Sequence, residues 1–238
     1  MSKLQDDFLP NFRRTGRVVA EFDQSSTAEA KTYPVGYCAG LAVHWLALRP
    51  GGKNWPASQT SPEAMNLSKA AAATYAKYLA GHNKALNDAS AVGVVARGVL
   101  GGLGGIEGND VMQLRGALNA VLGDVKMSID GGLDPVRWSG GDGRTFIHEV
   151  AVLGGGFYYL GIVCDQGSHA IALNVTSKAA DSACEFFDPN VGQLHFADPN
   201  ELKWSFDTLL RSYIKVLGYT FKSGYAMRIL PPQLKFAP

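Results

Sequence analysis

In Gly36-Tyr37-Cys38-Ala39-Gly40-Leu41-Ala42-Val43-His44-Trp45-Leu46, a cysteine flanked by small residues opens a run with helical spacing. Apolar residues repeat at that spacing until Pro50-Gly51-Gly52, which predicts an α-helix from about Cys38 to Leu48. The N-terminus of a helix presents unpaired backbone N–H groups and a partial positive charge, and both favour a thiolate over a thiol. Cys38 is therefore a candidate nucleophile.

Two later segments contain side chains that a cysteine nucleophile needs as partners. They are Ser168-His169-Ala170-Ile171-Ala172-Leu173 and Glu185-Phe186-Phe187-Asp188-Pro189-Asn190. The first supplies a candidate base and the second a candidate acid to orient that base. The tripeptide Asp188-Pro189-Asn190 recurs as Asp198-Pro199-Asn200, where we expect only a helix cap.

The size and charge of the chain exclude several classes of partner. With 238 residues, 46% of them hydrophobic, it can bury a core without disulfides, and one domain is expected. A formal net charge of +1 provides no attraction to nucleic acid or to an anionic membrane, so no nucleic-acid partner is predicted. No run of about 18 apolar residues predicts a membrane span, and no apolar segment follows the lysine at the start of the chain, so a Sec-type signal is not expected.

The three cysteines are too few and too unevenly spaced for a disulfide framework or a paired zinc site. We therefore predict a reduced compartment, no metal and no cofactor. Cys164 and Cys184 fall inside predicted strands, so we expect both to be core residues rather than reactive thiols.

The N-terminal half is predicted to be mostly helical. Residues 1–35 are polar and are expected to form an irregular, peripheral arm, with export or regulation as its candidate roles, ahead of a single domain over 36–238. A helix should begin at Ser61-Pro62-Glu63 and continue toward Gly81. The glycine-rich residues 101–108 lack a GK[ST] ending, so we interpret them as a flexible connector rather than a phosphate loop. Another helix is predicted after them, over residues 110–122.

The C-terminal half changes to short β-rich runs after about Arg144. Strands are predicted over residues 157–164, 169–175, 183–187 and 192–196, separated by turn residues. A closing helix from Asp198 and a last strand over 225–230 follow. Helices first and an antiparallel sheet second indicate the α+β class.

A helix that begins with cysteine, followed by a sheet with histidine and then aspartate, resembles the arrangement of papain-like cysteine proteases. Three blocks are similar to the motifs of the YopT/AvrPphB-type bacterial effector proteases: Gly-Tyr-Cys-x-Gly-Leu-x-x-x-Trp, His-Ala-Ile-Ala-Leu and Phe-Phe-Asp-Pro-Asn-x-Gly. Together they span roughly residues 36–196. The resemblance implies a papain-like fold with Cys38 as nucleophile, His169 as general base and acid, and Asp188 as the residue that orients the imidazole.

The sequence departs from the family at the oxyanion hole. Papain-like enzymes place a Gln or Asn shortly before the cysteine, whereas no amide side chain occurs between Thr32 and Tyr37 here. Gln24, fourteen residues upstream of Cys38, is the candidate donor if the arm loops into place. The hydroxyl of Tyr33 or Thr32 is a lesser alternative.

The other histidines are interpreted as surface or packing residues. His44 is predicted to lie on the wrong face of its helix to act as the base for Cys38. The remaining three have no cysteine motif beside them: His82, His148 and His195.

The resemblance implies a cysteine endopeptidase that acts as a bacterial effector or toxin in a host or competitor cell. Such a protein is made in the bacterial cytoplasm and exported without a Sec signal by a specialised secretion system. Its expected partners are a protein or peptide substrate, with a secretion chaperone or a cognate immunity protein as further candidates. Two alternatives stay open: an amidase, deamidase, transglutaminase or acyltransferase with the same three residues, and a binding module without turnover.

Overall fold

The computed structural model describes residues 2–14, 16–33, 36–97, 107–139, 142–165, 167–176 and 183–232, with side chains left out over 82–97 and 107–114. The described helices are α1 (Lys3–Phe12), α2 (Cys38–Leu48), α3 (Pro62–Arg97), α4 (Glu107–Asp124), α5 (Gly143–Val152) and α6 (Pro199–Leu217). The described strands are β1 (Arg17–Glu21), β2 (Ser128–Ile129), β3 (Val136–Trp138), β4 (Gly156–Cys164), β5 (Gly167–Val175), β6 (Cys184–Asp188), β7 (Gly192–Phe196) and β8 (Phe221–Leu230). None of these helices is both long and apolar enough to cross a membrane, as far as the described residues go.

The strands form one antiparallel sheet in the order β1-β7-β6-β5-β4-β8-β2, and β3 also pairs with β8. β5 pairs with β4 over its whole length, from Gly167 to Val175. Its pairing with β6 covers only Ala172 to Val175. The first half of β5 therefore extends past the end of β6, and α2 packs against it there.

Side chains that alternate along the strands build a separate core on each face of the sheet. Ile171 and Leu173 of β5 belong to the core that α1, α5 and α6 cover. Ala170 and Ala172 belong to the core that α2, α3 and α4 cover. Helices packed on an antiparallel sheet confirm the predicted α+β class.

A close crossing of α2 and α3 sets the position of the cysteine helix. A methyl group added at Gly40 would lie 1.9 Å from the carbonyl oxygen of Ala71, so the two backbones approach more closely than any larger residue allows. Ala170 and Ala172 leave similar room between α2 and the sheet. Small residues thus bring the start of α2 close to the exposed half of β5.

Most predicted elements agree with the structure. The bounds of α2 are those expected, the predicted strands correspond to β4 to β8, and Asp198 caps α6 by accepting hydrogen bonds from the N–H groups of Asn200 and Glu201. The helix predicted to end near Gly81 continues to Arg97. The glycine-rich connector lies outside the described residues up to residue 106.

The prediction of an irregular segment over residues 1–35 is wrong. Ser2 and Gln5 form a capping box at the start of α1, whose buried face contains Phe8 and Phe12. β1 pairs with β7 and adds a strand to the sheet. The proposed division of the chain at residue 35 stays a prediction, and α5 was missed because a β-rich pattern was expected from Arg144 onward.

Replacing Gly40 by alanine should destabilise the protein by about 1–3 kcal/mol, because the added methyl meets backbone rather than a movable side chain. The matched control is Gly116→Ala in α4, where a methyl meets nothing within 4 Å. That change should stabilise the helix by about 0.5–1 kcal/mol. Urea unfolding measures both, and equal effects at the two glycines would contradict the close crossing.

Candidate active site

Cys38 is the first residue of α2, and its sulfur lies against the extended half of β5. Tyr37 is the N-cap, but its side chain makes no capping hydrogen bond. The backbone N–H of Ala170 donates to the Cys38 sulfur at 3.3 Å. Ala170 can do this because β6 has already ended at this point of the sheet. The sulfur therefore lies beside backbone N–H groups, from the start of α2 and from Ala170, that point partial positive charge toward it.

His169 lies between the cysteine and the aspartate. Its Nε2 atom is 3.1 Å from Oδ2 of Asp188, and the ring lines the same cleft as Cys38. Burial by itself would lower the pKa of His169, but the charge of Asp188 and the contact with Cys38 outweigh burial and raise it to about 10. The imidazole is therefore positively charged at neutral pH.

Asp188 ends β6 and is fully buried, with 0% of its surface exposed. Besides His169, its carboxylate accepts the backbone N–H of Asn190 at 2.7 Å and the hydroxyl of Tyr213 at 2.9 Å. The copy at Asp198 makes the same local turn bond, but its carboxylate caps α6 instead of contacting a histidine. The two copies therefore share a local turn and differ in their tertiary surroundings, in agreement with the helix cap expected at Asp198.

Sequence reasoning missed Tyr213 as a member of the site. Its hydroxyl lies 3.0 Å from Nε2 of His169 and between 2.9 and 3.0 Å from both Asp188 oxygens. Burial, followed by the charge of Asp188, raises the pKa of Tyr213 well above its usual value, so the hydroxyl keeps its proton. In the sequence Tyr213 is one of several residues on the buried face of α6, and nothing marks its hydroxyl.

The structure brings Gln24 to the cleft at Cys38. Its amide oxygen accepts the backbone N–H of Tyr37 at 3.1 Å, and its amide nitrogen donates to Oδ1 of Asn190 at 2.7 Å. The amide packs against Gly36, whose φ of +94° and lack of a side chain allow this approach.

The two alternative oxyanion donors lie elsewhere. Tyr33 packs against Tyr37 and Tyr75 and does not line the cleft at Cys38. Thr32 is exposed. Of the predicted residues, the structure therefore gathers Cys38, His169, Asp188 and Gln24, and leaves these two hydroxyls outside.

The cleft at Cys38 has a volume of about 300 Å³. Among its described lining residues, none carries a formal charge apart from the Cys38–His169 pair. A second cavity of about 400 Å³ shares Gln24, Gly36, Asn190 and Tyr219 with it. Part of its lining, here called the wall of the cleft, consists of phenol rings and aliphatic groups: Tyr75, Tyr78, Leu79, Tyr159, Val163, Tyr219 and Tyr225.

The remaining cysteines and histidines have other surroundings. Cys164 and Cys184 are both buried, and burial raises the pKa of Cys184 to about 11. Cys164 ends β4 and lines the cleft. His44 contacts Thr74 of α3, whereas His148 is exposed and His195 is half-buried in β7. Where the structure describes side chains, no group of three or more His, Cys, Asp or Glu residues is arranged to hold a metal ion.

Comparisons with known proteins bear on this fold and site. The model of the C58 peptidase family, described as "Yersinia/Haemophilus virulence surface antigen", matches residues 153–222, which include His169 and Asp188. The crystal structure of the Pseudomonas avirulence protein AvrPphB is similar, with a TM-score of 0.62 and 21% identity, over 89% of this chain and 96% of that one. PatoxP, a cysteine protease-like domain of the Photorhabdus asymbiotica toxin PaTox, matches with a TM-score of 0.43 and 11% identity, over 94% of this chain and 57% of that one. No curated protein matches the sequence.

The α+β fold, with helices packed on an antiparallel sheet, is the fold of AvrPphB. The family match and the likeness to AvrPphB confirm the predicted resemblance to the YopT/AvrPphB-type proteases.

Replacing Asp188 by asparagine should make His169 lose its proton at a pH about 1–3 units lower. The charge of Asp188 raises the pKa of the imidazole against the effect of burial, so removing that charge leaves burial to lower it. NMR titration of the His169 ring measures this shift. Asp198→Asn is the matched control, since asparagine also caps helices and the residue lies outside the site. Equal titration of His169 in all three proteins would contradict the assigned contact.

Proposed function

We propose that this chain is a cysteine endopeptidase with Cys38 as nucleophile, His169 as general base and acid, and Asp188 as the residue that orients the imidazole. One observation carries the proposal: Nε2 of His169 bonds the buried Asp188 carboxylate, and the His169 ring and Cys38 line the same cleft. With Nε2 directed at Asp188, Nδ1 is the nitrogen left for the sulfur. This is the arrangement that a thiolate–imidazolium pair requires.

The reaction follows from these contacts. The Cys38 thiolate attacks the carbonyl carbon of the scissile peptide bond and forms a tetrahedral intermediate. His169 then gives its proton to the leaving amine, which leaves a thioester on Cys38. His169 then takes a proton from water, and the resulting hydroxide attacks the thioester carbon. The C–S bond breaks, the carboxylic acid product leaves, and the thiolate–imidazolium pair of Cys38 and His169 is restored.

The oxyanion of the intermediate needs hydrogen-bond donors at the start of α2. The backbone N–H of Cys38 is one, because the first N–H groups of a helix have no partner within it. An amide nitrogen has two N–H donors, and Gln24 uses one of them for Asn190. We assign the second to the oxyanion, since Gln24 lines the cleft together with Cys38.

We further propose that the protease is an effector that acts on proteins inside a host or competitor cell after export by a specialised secretion system. The name of the matching family and the avirulence role printed for AvrPphB support this setting. A secretion chaperone or a cognate immunity protein would be its partners in the producing cell.

The decisive experiment compares the wild type with Cys38→Ala on a whole-cell lysate, with new protein N-termini identified by labelling. We expect new N-termini only with the wild type, and Cys184→Ala, which removes a buried thiol outside the cleft, should cleave normally. Release of ammonia without new N-termini would instead indicate an amidase or deamidase. If neither appears and iodoacetamide modifies Cys38 no faster than a free thiol, the enzyme hypothesis fails.

The uncharged wall of the cleft leads to a prediction about substrates. A charged side chain placed there would lose water without gaining a counter-charge, so uncharged residues should be preferred beside the scissile bond. In Leu79→Glu, acceptance of Lys or Arg at one substrate position should rise about tenfold or more, and a positional peptide library measures this. Met65→Glu, on an exposed part of the same helix, is the control. An unchanged preference in Leu79→Glu would show that the substrate does not occupy this wall.

A further inference from the structure

Asn190 contacts both halves of the proposed catalytic site. Its backbone N–H donates to Oδ1 of Asp188 at 2.7 Å, and its side-chain nitrogen donates to the Tyr213 hydroxyl at 2.9 Å. Its side-chain oxygen accepts from the amide nitrogen of Gln24 at 2.7 Å. Gln24 in turn accepts the backbone N–H of Tyr37, the residue before Cys38. A continuous series of hydrogen bonds therefore joins Asp188 to the chain segment that precedes Cys38.

The direction of these hydrogen bonds is determined at the carboxylate. Ionised Asp188 can only accept, so the single proton of the Tyr213 hydroxyl points to it. The Tyr213 oxygen must then accept, which turns the nitrogen of the Asn190 amide toward it. The oxygen of the Asn190 amide is thereby turned toward Gln24, so the group of Gln24 that faces it must be a donor, the amide nitrogen.

The opposite orientation of the Asn190 amide would leave two mismatches. Its nitrogen would face the amide nitrogen of Gln24, donor against donor. Its oxygen would face a Tyr213 hydroxyl whose proton Asp188 already accepts. Gln24 cannot turn over to relieve the first mismatch, because its oxygen is needed by the N–H of Tyr37.

We propose that Asn190 and Tyr213 are positioning residues that transmit the orientation of the Asp188 carboxylate to the amide of Gln24. The inference rests on the proposed function, in which Gln24 donates to the oxyanion. Asp188 and the oxyanion donor Gln24 thus form one coupled unit. An aspartate at position 190 would lack the donor for Tyr213, and an alanine would lack both side-chain groups.

The first test is a double-mutant cycle with Gln24→Ala, Asn190→Ala and the double variant, on a peptide that the wild type cleaves. Gln24→Ala should lower kcat about 10²–10³-fold with little change in KM. Asn190→Ala should lower kcat by about tenfold or more through the misplaced amide, and the double variant should be no worse than Gln24→Ala within about threefold. Losses that multiply in full would overturn the coupling.

Two controls separate positioning from loss of structure. Asn200→Ala changes the asparagine of the second Asp-Pro-Asn copy, which is exposed, and should leave kcat unchanged. Alkylation of Cys38 by iodoacetamide develops no oxyanion, so its rate should stay within about twofold of the wild type in every variant. Alkylation that falls in parallel with kcat would show that Asn190 merely supports the fold, which overturns the proposal.

The second test needs no substrate and therefore stands if the proposed function fails. The NH₂ resonances of the Gln24 side chain are followed by NMR in Asn190→Ala and in Tyr213→Phe. Both changes should shift these resonances. Among the described residues, the Tyr213 hydroxyl hydrogen-bonds Asn190, Asp188 and His169, so Asn190 is the residue that joins it to Gln24. Resonances that move in Asn190→Ala but not in Tyr213→Phe would show that the coupling stops at Asn190 and would overturn the proposal.

Discussion

The buried carboxylate of Asp188 is the constraint on which the rest of the site depends. A carboxylate removed from water remains charged only if hydrogen bonds and an opposite charge compensate it. His169 supplies the charge, and the hydroxyl of Tyr213 and the N–H of Asn190 supply further hydrogen bonds. These groups come from β5, α6 and the turn after β6. Compensating one charge therefore holds three segments in a single arrangement.

A second constraint brings the cysteine to this arrangement. α2 must lie close to both α3 and the sheet, and residues without bulky side chains allow this at Gly40 and at Ala170 and Ala172. Because β6 ends early, the N–H of Ala170 is free to contact the Cys38 sulfur instead of another strand. The length of β6 thus determines both where the carboxylate lies and where the nucleophile can approach.

The elements that were predicted well are those whose pattern is local. The helix from Cys38 to Leu48 and the strands β4 to β7 show a clear period and clear turn residues. The helix α1 was not predicted within the first 35 residues, because it is short and contains Pro10. The capping box at Ser2 was a signal in the sequence that could have indicated it. The position of Gln24 could not be predicted, because β1 and the chain after it are located by pairing with the distant strand β7.

The α+β class, the helix start at Cys38 and the candidate residues His169 and Asp188 follow from the sequence alone, because local spacing and residue type indicate them. The contacts that join the Tyr213 hydroxyl and the Asn190 and Gln24 amides to Asp188 follow only from the tertiary structure. Both copies of Asp-Pro-Asn make the same local turn. The difference lies in what packs against them: His169 and Tyr213 at the first, the start of α6 at the second. Contacts between residues far apart in the chain arise from packing, and a local sequence pattern carries no information about them.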